Sequence, residues 1–199
     1  MTDVDMAGNA VWGRRRVWVP LATVALLLLL IAFESVADRL LPGGEALPSG
    51  TVLAFGAERD VSVQVGDGWT LDKADTSLDS NITLVRGDLT VRLATATFES
   101  KPTVREMWHC FEQVLSISRA AGQEVWIGDP SAFDTSSAPG GLYGPLQVST
   151  RVGNAIVLPA PDGRHAVEAT VLAPLHTGDA DRAAAAQLID SIAFEGASS

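Results

Sequence analysis

Residues 103–121 read T-V-R-E-M-W-H-C-F-E-Q-V-L-S-I-S-R-A-A, and the fold turns on them because the apolar period changes there from two to between three and four. Val104, Met107, Trp108, Phe111, Val114, Leu115 and Ser118 recur at helical spacing. Thr103 and Glu106 form a capping-box pattern at the start, and Gly122 supplies the stop. A helix with one apolar stripe gains its stability from what that stripe packs against. It must therefore lie on a sheet, and the chain on either side has to supply the strands.

On the N-terminal side, Val61, Val63 and Val65 alternate with Ser62 and Gln64, the period of a half-buried strand, and Gly66-Asp67-Gly68 turns the chain ahead of Trp69. Residues 81–85 and 89–98 flank Arg86-Gly87-Asp88 as a hairpin, with Leu89, Val91 and Leu93 on one face and Thr90 and Arg92 on the other. On the C-terminal side, 124–128 is a short strand. Residues 129–145 then form a Ser/Gly/Pro-rich loop of unusual length, with room for an irregular strand near 132–135. Residues 146–152, 154–158 and 166–173 make an antiparallel meander, with a turn at Pro161-Asp162-Gly163-Arg164. A second helix over 179–192 puts Ala185, Leu188, Ile189 and Ile192 on one face, capped by Thr177 or Asp179. Strands, helix, strands, helix is the order of an α+β domain, an antiparallel β-sheet with two packed helices.

Ahead of this domain, Arg14-Arg15-Arg16 precedes V-W-V-P-L-A-T-V-A-L-L-L-L-L-I-A-F at 17–33, a run without charge that reaches roughly 25 Å as a helix. It reads as a transmembrane signal anchor over 17–37, with 1–16 as a cytoplasmic stub and the remainder outside, since the arginines precede it. Ser35-Val36-Ala37 would suit cleavage, but the run exceeds the roughly 7 to 15 residues of a signal peptide. Residues 38–50 form a Gly/Pro-rich linker, and 51–199 is the extracytoplasmic domain. Of the 24 acidic and 14 basic residues, all but Asp3 and Asp5 and all but Arg14, Arg15 and Arg16 lie after the apolar run. The external field is acidic, which argues against nucleic acid as a partner and leaves the membrane itself, through the anchor, and an envelope protein.

Each residue that invites a chemical reading also has a plainer one. Cys110 is the only cysteine, so the chain forms no internal disulfide; three positions after Met107 and four before Val114, it reads as an inert core thiol beside His109. His109, His165 and His176 lack metal-ligand spacing. Asp72, Asp75 and Asp79 lack the alternation and closing glutamate of a calcium loop and read as a solvated turn. Arg86-Gly87-Asp88 is an adhesion tripeptide whose residues are equally those of a turn, and Asn81-Ile82-Thr83 is a glycosylation acceptor only in a cell that makes such glycans. Ser136-Ser137 has no nucleophile-elbow context. No catalytic, cofactor-binding or metal-binding residue is assigned.

V-S-V-Q-V-G-D-G-W at 61–69, the hairpin, the 103–121 helix, the late meander and A-A-Q-L-I-D-S-I-A-F at 185–194 together resemble the PsbP-like α/β sandwich domains, in particular the LpqN-type envelope lipoproteins of mycobacteria and their relatives. Unlike those lipoproteins, this chain has no cysteine directly following the apolar run, so its anchor is expected to be a helix instead of a lipid. The resemblance implies a non-catalytic binding or assembly module of the bacterial cell envelope, with a sheet face or the 129–145 loop as contact surface. The alternatives are a hydrolase using that loop, or a structural spacer or sensor domain.

Overall fold

The computed structural model describes residues 44–120, 122–136 and 138–195. The stub over 1–16, the apolar segment over 17–37 and the first residues of the linker lie outside the described residues. Among those described, no helix is long and apolar enough to cross a membrane.

Two long hairpins and a connecting strand set the frame. Strands β5 (Asn81–Arg86) and β6 (Leu89–Thr97) pair around Gly87, whose φ of +56° opens the tight turn that the sequence reading placed there. Strands β9 (Gly141–Val148), β10 (Arg151–Pro159) and β11 (His165–Ala173) form the meander, and β11 pairs along its length with β6. The outer positions are taken by β1 (Gly44–Ala46), β4 (Thr70–Asp72), β7 (Val125–Ile127) and β8 (Ser131–Phe133). The resulting nine-stranded antiparallel sheet runs β1-β4-β5-β6-β11-β10-β9-β7, with β8 also on β9. A second sheet of three strands joins β2 (Val52–Phe55), β3 (Val61–Gln64) and β12 (Ala193–Phe194) in the order β12-β3-β2.

Several boundaries differ from the sequence expectation. Gly44–Ala46, read as linker, pairs with Thr70–Asp72, so the sheet begins before residue 51. The first two strands of the meander, expected over 146–152 and 154–158, meet instead at a Ser149-Thr150 turn in which Ser149 takes φ +53°. Gly153 lies inside β10, where a Cβ would stand 1.8 Å from the Val171 carbonyl oxygen, so the two strands approach there only because it is glycine. The 129–145 stretch contains β8 and the start of β9, which breaks up the unusually long loop and leaves only residues 134–140 between the two strands.

Helix α1 (Val104–Ala120) and helix α2 (Asp179–Asp190) take opposite faces of the large sheet. One core joins Phe55, Val61, Val63, Trp69, Ile82, Leu84, Leu93 and Leu158 to Ala185, Leu188 and Ile189 of α2, with the small sheet in the same layer. The other joins Met107, Trp108 and Phe111 of α1 to Leu142, Leu146, Ala155, Val157 and Ala166. The capping box forms as read: the Thr103 N–H donates to Glu106 Oε2 at 2.7 Å and the Glu106 N–H to Thr103 Oγ1 at 3.3 Å. The Thr103 backbone bond, followed by its hydroxyl, holds the Glu106 carboxyl below the usual range. Helix α2 departs from expectation, since its N-cap is Gly178, with no side-chain cap from Thr177 or Asp179.

Trp108 is the centre of the α1 seam. It is 2% exposed, its ring meets Phe111 edge-on at 6.4 Å, and its indole N–H donates to Glu112 Oε1 at 2.8 Å. Gly144 of β9 makes room for it, because a Cβ there would stand 3.0 Å from the indole. Trp108→Ala should cost ~3 to 5 kcal/mol as a large-to-small core change, and exposed His109→Ala less than about 0.5 kcal/mol, both measured by denaturant melts. A larger loss at His109 would mean that the helix faces the other way.

Candidate functional site

The side-chain alternation of the central strands leaves a groove on each face of the large sheet. On the α2 face, Ile156 and Val171 form an apolar floor, Ala185, Ala186 and Ile189 of α2 one wall, and Phe133 and Tyr143 the other. The volume is about 630 Å³. The Phe133 and Tyr143 rings lie 5.7 Å apart and tilted, and the polar groups at the rim are few: Tyr143, Asn154 and Arg182. Arg182 is lightly held, 3.6 Å from Asp179 and 3.5 Å from the Leu175 carbonyl. An apolar trough with a few polar groups at its edge is what small-molecule and apolar-side-chain sites share.

On the α1 face, the helix covers only the β7-β9-β10 end of the sheet. The remaining floor carries Thr83, Arg92, Glu168 and Thr170, bounded by Phe111, Val114 and Leu115 of α1 on one side and residues 74–77 on the other, in a volume of about 710 Å³. Thr83 is buried and fully engaged, its N–H donating to Thr76 Oγ1 at 3.0 Å and its hydroxyl to the Asp75 carbonyl at 3.1 Å. Arg151 closes one end: Nη2 donates to Thr90 Oγ1 and the Leu172 carbonyl, each at 3.0 Å, and to the Asp88 carbonyl, while its buried Nε has no acceptor among the described residues. Among the described residues nothing hydrogen-bonds or ion-pairs with the Glu168 carboxyl, and burial raises it to about 7.

The residues singled out in the sequence fall in separate places. Cys110 is exposed, which corrects its reading as a core thiol. The buried stripe is Met107, Trp108 and Phe111, and Cys110 stands on the flank that also exposes Val114 and Ile117. His109 bonds Glu112 Oε2 at 3.3 Å, His165 bonds Asp162 at 2.5 Å in the β10–β11 turn, and His176 is exposed. For Asp162, partial burial acts to raise the carboxyl, but the Arg164 N–H and then the His165 side chain and N–H outweigh it and leave it below the usual range. Asp72 accepts the N–H of Ala74 at 3.0 Å and Asp79 pairs with Arg59 at 3.3 Å, so these two serve a turn and a surface pair, while Asp75 contributes its backbone carbonyl to Asn81 and Thr83. Arg86 of the adhesion-like tripeptide is occupied by Asp181 at 3.0 Å and the Asp67 carbonyl. Asn81 is partly buried, its amide donating to the Asp75 carbonyl at 2.7 Å. Ser136 donates to the Asp190 carbonyl at 3.2 Å, and Ser137 lies outside the described residues. The sequence reading named a sheet face or the 129–145 loop as contact surface but no residue of either groove; the signals available were Glu168 at a polar position of a strand and the two aromatic residues in the 129–145 stretch.

With this geometry in hand, the chain is similar to the solution structure of cyanobacterial PsbP (CyanoP) from Synechocystis, at 11% identity over 74% of this chain and 95% of that one, with a TM-score of 0.51. The fold is PsbP-like. The PsbP-like domain is also matched by the crystal structure of the Saccharomyces cerevisiae Ran-binding protein Mog1p, at 10% identity over 73% and 96% of the two chains and a TM-score of 0.47. No family model and no curated protein matches the chain.

Glu168 carries a sign that stability measurements read. Its carboxyl is raised from 4.5 to about 7 in the folded chain, so the folded state holds the proton more tightly and stability falls as pH rises across that window. Glu168→Gln should flatten this slope and leave the variant more stable than the parent at about pH 8, by about 1 to 3 kcal/mol after allowance for the open side of the groove. Parallel urea melts across that range test it; an unchanged slope would show that Glu168 is fully hydrated.

Proposed function

We propose that this chain is a membrane-anchored, extracytoplasmic, non-catalytic binding or assembly module of the bacterial cell envelope, held by the apolar segment over 17–37 and binding through the groove under α2. The observation that carries the reading is the construction of that groove. Phe133 of β8 and Tyr143 of β9 face α2 across an apolar floor, and about 630 Å³ is within the range of ligand sites, roughly 300–1,000 Å³. The PsbP-like fold sets no activity by itself, so the site has to supply the argument. Among the described residues, no imidazole bonds a serine, threonine or cysteine, and the Ser136 hydroxyl is committed to the Asp190 carbonyl. That favours binding over acyl transfer, which needs a nucleophile within reach of a base.

Two measurements test the two halves of this reading. In the full chain reconstituted in lipid nanodiscs, a photoreactive benzophenone should label the segments around 131–143 and 182–189, and Ala186→Trp, which fills the groove from its exposed edge, should abolish that labelling. Undiminished labelling in the variant would sink the groove as the site. For the anchor, Gly8→Cys and Glu58→Cys in a Cys110→Ser background should react differently with an impermeant maleimide added to intact cells. Residue 58 should label and residue 8 should not; the reverse would overturn the orientation.

A further inference from the structure

The groove on the α1 face contains a charge arrangement that the module's apolar site does not use. Glu168 points from the middle of the sheet into a space walled by Phe111, Val114 and Leu115, and nothing among the described residues bonds to its carboxyl. A half-buried carboxylate that no side chain pairs is held at a cost, and a partner that would satisfy it is a cation with N–H donors. We infer that this groove binds a small primary amine, its ammonium on the Glu168 carboxylate and its apolar body along Phe111, Val114 and Leu115.

The surrounding groups fit that ligand. The groove is bounded on both sides, by α1 and by residues 74–77, so it suits a small molecule better than a protein surface. Its α1 wall carries no charge, and from β5 and β11 the neighbouring side chains are the hydroxyls of Thr83 and Thr170. Asp75, on the loop opposite α1, adds negative charge at the rim. Two arginines stand on the same floor. Arg151 is tied to three oxygen acceptors at the far end, and Arg92, diagonal to Glu168 across the β6–β11 pair, is exposed. Neither offsets the burial of Glu168, which by itself raises the carboxyl to about 7. The acidic surface of the domain concentrates cations near the mouth.

The test is calorimetric titration of the full chain in nanodiscs, with empty nanodiscs as reference, using phenethylamine, phenethyl alcohol and hydrocinnamate as probes. At about pH 8 the amine should bind saturably at one site while the alcohol and the carboxylate do not. Glu168→Gln should abolish amine binding while the variant stays folded. For the parent chain, affinity should fall about tenfold between about pH 8 and pH 6 as the carboxylate takes up its proton, although the amine stays charged throughout. The inference is overturned if no saturable amine binding occurs, if alcohol or carboxylate binds as well as amine, if the Gln variant binds as the parent does, or if affinity ignores pH. The parent's pH response decides the matter even if the Gln variant is poorly folded.

Discussion

Strand β11 lies at the middle of the large sheet, between β6 and β10, and its alternating side chains have to satisfy two different layers at once. Val167, Ala169 and Ala173 face the layer of α2 and the small sheet, while Ala166 faces α1. On the α2 side the requirement is met by small and branched residues that let the helix approach closely. Along the α1 side the same strand places Glu168 and Thr170, because α1 is too short and too far to one end to cover them. Both grooves follow from this single mismatch between a wide sheet and two helices. A nine-stranded sheet presents more area than a helix of 17 residues on one side can bury.

Where local chemistry decides structure, the sequence was readable. The capping box at Thr103, the stop at Gly122 with φ +92° and the hairpin turn at Gly87 are all set by residues within a few positions of one another. Reading failed where a distant partner decides. Ser149 adopts a left-handed conformation that a serine rarely chooses, and only the pairing of β9 with β10 requires it there. Gly153, which separated two expected strands, instead lies inside β10 and answers to a carbonyl on the next strand. Cys110 was misplaced because spacing fixes where the apolar stripe runs but not how wide it is, and Cys110 lies with Val114 and Ile117 on an exposed flank of α1. The grooves were hidden for the same reason: each is assembled from strands and helices far apart in the chain.

The tripeptide Arg86-Gly87-Asp88 shows how a motif can be absorbed by architecture. The Arg86 guanidinium reaches Asp181 in the first turn of α2 and the Asp67 carbonyl in the preceding turn. Helix α2 has no side-chain cap of its own, so this contact from the β5–β6 hairpin helps fix where the helix begins. In this way a surface turn on one strand pair holds in place the wall of the apolar groove.

The described chain enters the domain at Gly44, through an edge strand of only three residues whose neighbours are Thr70, Leu71 and Asp72. Any tension arriving from the N-terminal side loads those few backbone bonds, and the Leu47 N–H to Trp69 carbonyl contact at 3.0 Å, before it reaches anything else. Trp69 is buried in the larger core, whereas β1 is largely exposed. Under mechanical load, β1 is therefore a fuse: it can peel away while β4, β5 and β6 keep their pairing and both grooves keep their shape.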